Sequence, residues 1–78
     1  MAREAVGRMG ELVHATRGED GPGEVKIRFR GGLEYFLAWS DQPLPAGTSV
    51  LVVESRGARN VDVVPWSEPF GEYQGDRK

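Results

Sequence analysis

Apolar positions along this chain recur with a period of two, in short runs separated by glycine, proline and charge. The clearest run is residues 24–30, where Val25, Ile27 and Phe29 fall on one side and Lys26, Arg28 and Arg30 on the other. Strand side chains alternate faces, so this pattern predicts a half-buried antiparallel strand. Val50 and Val52 repeat the spacing, as do Val61 and Val63. Residues 54–60 form the polar reversal between them, with Gly57 free to take positive φ. Pro65 has no amide hydrogen and is expected to end the last strand.

The remaining elements are read from weaker signals. Residues 9–17 alternate loosely, Leu12 with His14 and Val13 with Ala15, and predict a first strand. Residues 18–23, G-E-D-G-P-G, are a strong turn signal. Gly31-Gly32 suits a two-residue hairpin reversal. Residues 33–40 predict a third strand with two apolar faces: Leu33, Tyr35, Leu37 and Trp39 on one, Phe36 and Ala38 on the other. In the fourth strand Leu51 and Val53 likewise oppose Val50 and Val52. Doubled faces predict a second contact surface, or cover from a chain end. Residues 41–47 hold two prolines and are too short for a helix, and Leu44 is placed to plug one end of the core. Residues 1–8 lack a strand pattern and are expected as a flexible segment. Residues 67–78 are expected as a flexible tail, in which Phe70 and Tyr73 are the residues able to fold back on the extra apolar face. Five short strands joined by tight turns predict an all-β barrel over residues 9–66.

Composition narrows the function classes. A chain of 78 residues is one small, marginally stable domain. It has no cysteine, so neither a disulfide nor a thiolate metal site staples it. The net charge of -2 argues against a dedicated nucleic-acid binder, which needs a concentrated basic surface. No apolar run approaches the roughly 18–20 residues that cross a bilayer. No signal peptide is visible either, so these residues are expected to be soluble. His14 is the single histidine, and without a second histidine or a cysteine it reads as an ordinary strand residue. Ser40 beside Asp41 is no nucleophile with a base, and Asp41 reads as a turn initiator. Glycines 18, 21 and 23 are not a phosphate loop, since no Lys-Ser/Thr follows them. Nothing here predicts an enzyme, a cofactor or a metal.

Taken together, Gly10, Gly21-Pro22-Gly23, Phe36-Leu37-Ala38-Trp39-Ser40, the run from Gly47 through Val53 and the closing V-D-V-V-P resemble the soluble C-terminal domain of NfeD-like proteins. The resemblance covers residues 10–66. It implies a five-stranded OB-fold-type antiparallel β-barrel lacking the usual helix between strands three and four. It also implies Phe36 and Ala38 as core, with Tyr35, Leu37 and Trp39 outside. In that family the barrel is usually attached to membrane-spanning segments and works with stomatin- or flotillin-like membrane proteins. Some longer relatives carry a serine protease domain upstream.

Two surfaces are candidates for binding. Tyr35, Leu37 and Trp39 are expected beside Leu51 and Val53 if strands three and four are neighbours, giving an apolar, aromatic patch of the kind that marks partner contacts. The opposing expectation is that Met9, Trp66, Phe70 or a terminal segment covers it. The basic stripe Lys26, Arg28 and Arg30, with Arg56 and Arg59 possible neighbours, resembles an OB-type groove for anions or nucleic acid, with Tyr35 and Trp39 as stacking platforms. Glu24, Glu34, Glu54 and Asp62 interleave with those cations, which favours a solvated face that discourages edge pairing. Contact with anionic lipid heads is a third use of the stripe. The function expected is a non-catalytic protein-interaction module with a membrane-associated partner of stomatin/flotillin type. Its expected place is the cytoplasm or the cytoplasmic face of a bacterial membrane. The alternative is an OB-fold binder of single-stranded nucleic acid or oligosaccharide.

Overall fold

The computed structural model describes residues 2–66. A 3-10 turn at Ala2–Ala5 leads into β1 (Met9–His14), a second such turn at Gly18–Asp20, then β2 (Gly23–Phe29), β3 (Gly32–Trp39), β4 (Ser49–Gly57) and β5 (Asn60–Pro65). The strands close into a barrel in the order β1-β2-β3-β5-β4. Every pairing is antiparallel except β3 with β5, which run parallel. The architecture is an OB-fold-like barrel, and residues 40–48 join β3 to β4 without a helix.

The core is the set that the alternation and the resemblance select. Val25, Ile27, Phe36, Ala38, Val50, Val52, Val61 and Val63 are buried, joined by Leu12 and Ala5. Phe29 and Leu44 pack against this cluster while partly buried. Val52 lies opposite Val63 across the β4–β5 hairpin, so one valine face meets the other.

Four features differ from the pattern reading. Residues 1–8 are predicted as a loose end, yet Ala5 is fully buried and the Gly7 amide donates to the Val52 carbonyl at 2.8 Å. A single turn with one buried alanine has no period to detect. The fourth strand is longer than predicted: it runs to Gly57, and the reversal is only Ala58-Arg59. Register shifts after Val52 and after Ser55 take up the extra residues and break the alternation that would have revealed the strand. Gly57 does take positive φ, at 85°, and Ala58 and Arg59 follow at 49° and 63°. Phe29 pairs with Gly32, so the β2–β3 reversal falls on Arg30-Gly31, one residue before the glycine pair. Finally, β3 and β4 are not neighbours; β5 stands between them.

Candidate functional site

Odd-numbered residues of β3 face outward. Across β2, Leu33 lies opposite Arg28, Tyr35 opposite Lys26 and Leu37 opposite Glu24. Leu33, Tyr35 and Leu37 are 46%, 44% and 44% exposed. The N-terminal turn packs on β4 and β5, and Met9 pairs with Leu51, so neither covers the β3 stripe. The Trp66 amide bonds to the Ser49 carbonyl at 2.9 Å, which fixes its backbone beside β4. Phe70 and Tyr73 lie outside the described residues.

Trp39 shares this outward direction but is half-buried. Its indole Nε1 donates to Asn60 Oδ1 at 2.9 Å, and the Arg56 guanidinium lies 4.6 Å from the ring centroid. Asp62 holds Arg56 in place at 2.8 Å. Trp39 therefore belongs to a polar cluster bridging β3, β5 and β4. On the far side of that cluster, Leu51 sits opposite Val64 and Met9, with the exposed Val53 at the register shift. The single face expected from Tyr35, Leu37, Trp39, Leu51 and Val53 is thus divided in two. One part is the β3 stripe; the other is the Met9–Leu51–Val64 cluster with Val53. The division follows from the parallel insertion of β5, which no local pattern records.

The basic residues also separate. Lys26 lies 4.0 Å from Glu11. Arg59 reaches Glu34 at 3.3 Å and donates to the Tyr35 carbonyl at 2.8 Å. Arg28 and Arg30 are exposed and form no ion pair among the described residues. His14 is exposed, 3.5 Å from Glu24. Ser40 has no base beside it; its hydroxyl donates to the Gln42 carbonyl and contacts the hydroxyl of Thr16, each at 2.7 Å. Thr16 is the buried polar residue that pattern reading missed, because a lone threonine after a weak strand carries no signal of its own. Among the described residues no group of three or more acidic or histidine side chains could hold a metal ion, and no helix is long and apolar enough to cross a membrane. A shallow cleft of about 630 Å³ lies between the N-terminal turn and the β4–β5 hairpin, lined by Arg3, Val6 and the residues from Glu54 through Ala58.

Comparison with known proteins agrees with this architecture. The model of the NfeD C-terminal domain family matches residues 9–64. The soluble domain of the NfeD protein YuaF from Bacillus subtilis is 36% identical, with a TM-score of 0.69, over 85% of this chain and 81% of that one. The C-terminal domain of stomatin operon partner protein 1510-C from Pyrococcus horikoshii is 25% identical, with a TM-score of 0.64, over 85% and 94%. A soluble domain from Corynebacterium glutamicum, of a membrane protein implicated in regulation of membrane protease activity, shares the fold at 17% identity and a TM-score of 0.59, over 86% and 100%. Comparison with curated proteins returns no match.

Proposed function

Because this chain belongs to the NfeD C-terminal domain family, we propose that it is a non-catalytic docking module that binds a partner protein through the outer face of β3. The observation that carries the reading is the stripe of Leu33, Tyr35 and Leu37, which no other described residue covers. Three large apolar side chains in a row on a rigid strand are what a protein contact uses, at low entropic cost. Leu51 and Val53 supply a second, separate contact, and Trp39 stiffens the wall between the two. The partner in this reading is a membrane-associated protein of stomatin or flotillin type. The name of one similar structure, a stomatin operon partner, supports that choice. The module then works in the cytoplasm or at the cytoplasmic face of the membrane, as the partner type implies.

The test is a binding titration against the stomatin- or flotillin-type protein of the same organism. Tyr35→Ala combined with Leu37→Ser weakens binding at least ten-fold, on the order of one interface anchor. The melting temperature stays near that of the unaltered domain. Unchanged affinity in that double variant removes the β3 stripe from the interface.

A further inference from the structure

The net charge of -2 conceals a division between the two ends of the barrel. Six arginines gather at one end, where the chain passes three times: Arg3 and Arg8 beside the N-terminal turn, Arg28 and Arg30 at the β2–β3 reversal, Arg56 and Arg59 at the β4–β5 reversal. Contacts tie these passes together. Arg8 lies 4.5 Å over the Phe29 ring, Phe29 is 6.2 Å from Phe36, and Arg59 lies 4.4 Å over Phe36. Arg3 and Arg56 line one cleft. All six are exposed; Asp62 pairs with Arg56 and Glu34 with Arg59, and Glu4 and Glu54 lie at the same end, so six cations against four carboxylates leave it two positive charges in excess. Among the described residues the opposite end carries Glu19, Asp20, Glu24 and Asp41 with Arg17.

Three aliphatic side chains, Val6, Met9 and Leu33, are exposed among the six arginines. We propose that this end of the barrel docks on an anionic lipid surface, the guanidinium groups meeting headgroup phosphates and the three aliphatic side chains entering the headgroup–acyl boundary. Basic residues mixed with aliphatic ones are what such a surface attracts. A single-stranded nucleic acid needs a series of free aromatic faces to stack on; here Arg8, Arg59 and Arg56 cover the Phe29, Phe36 and Trp39 rings, which leaves Tyr35 as the one open aromatic face on β3. Leu33 is common to this end and to the β3 stripe, whereas Tyr35 and Leu37 belong to the protein contact alone and the arginines to the lipid contact alone.

Co-sedimentation of the whole chain with vesicles tests the proposal. Vesicles of phosphatidylcholine mixed with phosphatidylglycerol bind the protein at low salt and release it at high salt. Vesicles of phosphatidylcholine alone do not bind it. Each arginine near the surface contributes roughly five-fold, so Arg28→Gln with Arg30→Gln weakens binding roughly twenty-five-fold. Leu33→Ser weakens it further, and Glu19→Gln with Asp20→Asn leaves it unchanged. Circular dichroism melting shows that the variants fold. Equal sedimentation with both vesicle types, or full binding by the arginine variant, overturns the proposal. So does tight binding of a single-stranded oligonucleotide with no vesicle binding, which assigns the arginine end to nucleic acid.

Discussion

Replacing Thr16 by valine keeps the side chain's shape and removes its hydroxyl, and the structure sets the cost. Thr16 is 2% exposed. The Leu44 amide donates to Thr16 Oγ1 at 2.8 Å. The Ser40 hydroxyl donates to the Gln42 carbonyl, so Thr16 is the donor in its 2.7 Å bond to Ser40. Proton donation runs one way, from Leu44 through Thr16 and Ser40 to Gln42, and pins the β3–β4 connection to the end of β1. Valine leaves the partly buried Leu44 amide without its acceptor, which costs about 1–3 kcal/mol. The half-buried Ser40 oxygen keeps its bond to the Gln42 carbonyl and loses one donor, at smaller cost. The expected destabilisation is about 2 kcal/mol, or roughly 10 °C in melting temperature for a domain of this size. Thr16→Ser keeps the hydroxyl and loses one methyl, about 0.8 kcal/mol. Ser40→Ala combined with Thr16→Val costs less than the sum of the two alone, since the bond they share is lost once. Denaturant midpoints measure all five proteins, the unaltered one included, and the Leu44 amide should exchange faster in Thr16→Val. If Thr16→Val is as stable as the unaltered protein, or more stable than Thr16→Ser, the hydrogen-bond argument is refuted.

Other positions give equally direct expectations. A Cβ on Gly23 would run into the carbonyl oxygens of His14 and Ala15, the latter at 2.6 Å, and backbone cannot step aside as a side chain can. Gly23→Ala should therefore cost about 3 kcal/mol or prevent folding, read as a lost cooperative melt. Ala58 sits at φ 49° in the two-residue turn, a conformation that asparagine tolerates better. Ala58→Asn should raise the unfolding free energy by about 0.5 kcal/mol, read as a higher denaturant midpoint at unchanged slope, and a lower midpoint would contradict the strain assigned to Ala58. Trp39→Ala strips the surface under Arg56 and the donor to Asn60, for a loss of about 2 kcal/mol, half that of a fully buried aromatic. A melting temperature unchanged in Trp39→Ala would return Trp39 to the open docking face.

Local alternation was enough to read the strands and their inward faces. Val25, Ile27, Val50, Val52, Val61 and Val63 alternate with polar residues, and a period of two has one reading when a single face is buried. Glycine and proline marked where the turns lie, since only certain backbones accept them, and missed by one residue at the β2–β3 reversal; the β4–β5 reversal proved shorter than its polar run. The absence of a helix between β3 and β4 was legible in two prolines within seven residues. The outward direction of Tyr35 and Leu37 followed once Phe36 and Ala38 were assigned to the core. What local pattern could not carry was who stands beside whom. The parallel insertion of β5 between β3 and β4 divides the apolar face, and it arises from barrel closure, which acts over the whole chain. Burial of Ala5, the Thr16–Ser40 pair and the stacking of Arg56 on Trp39 all join residues more than ten positions apart. So does the gathering of six arginines at one end. Each depends on distances in space that tertiary packing alone supplies.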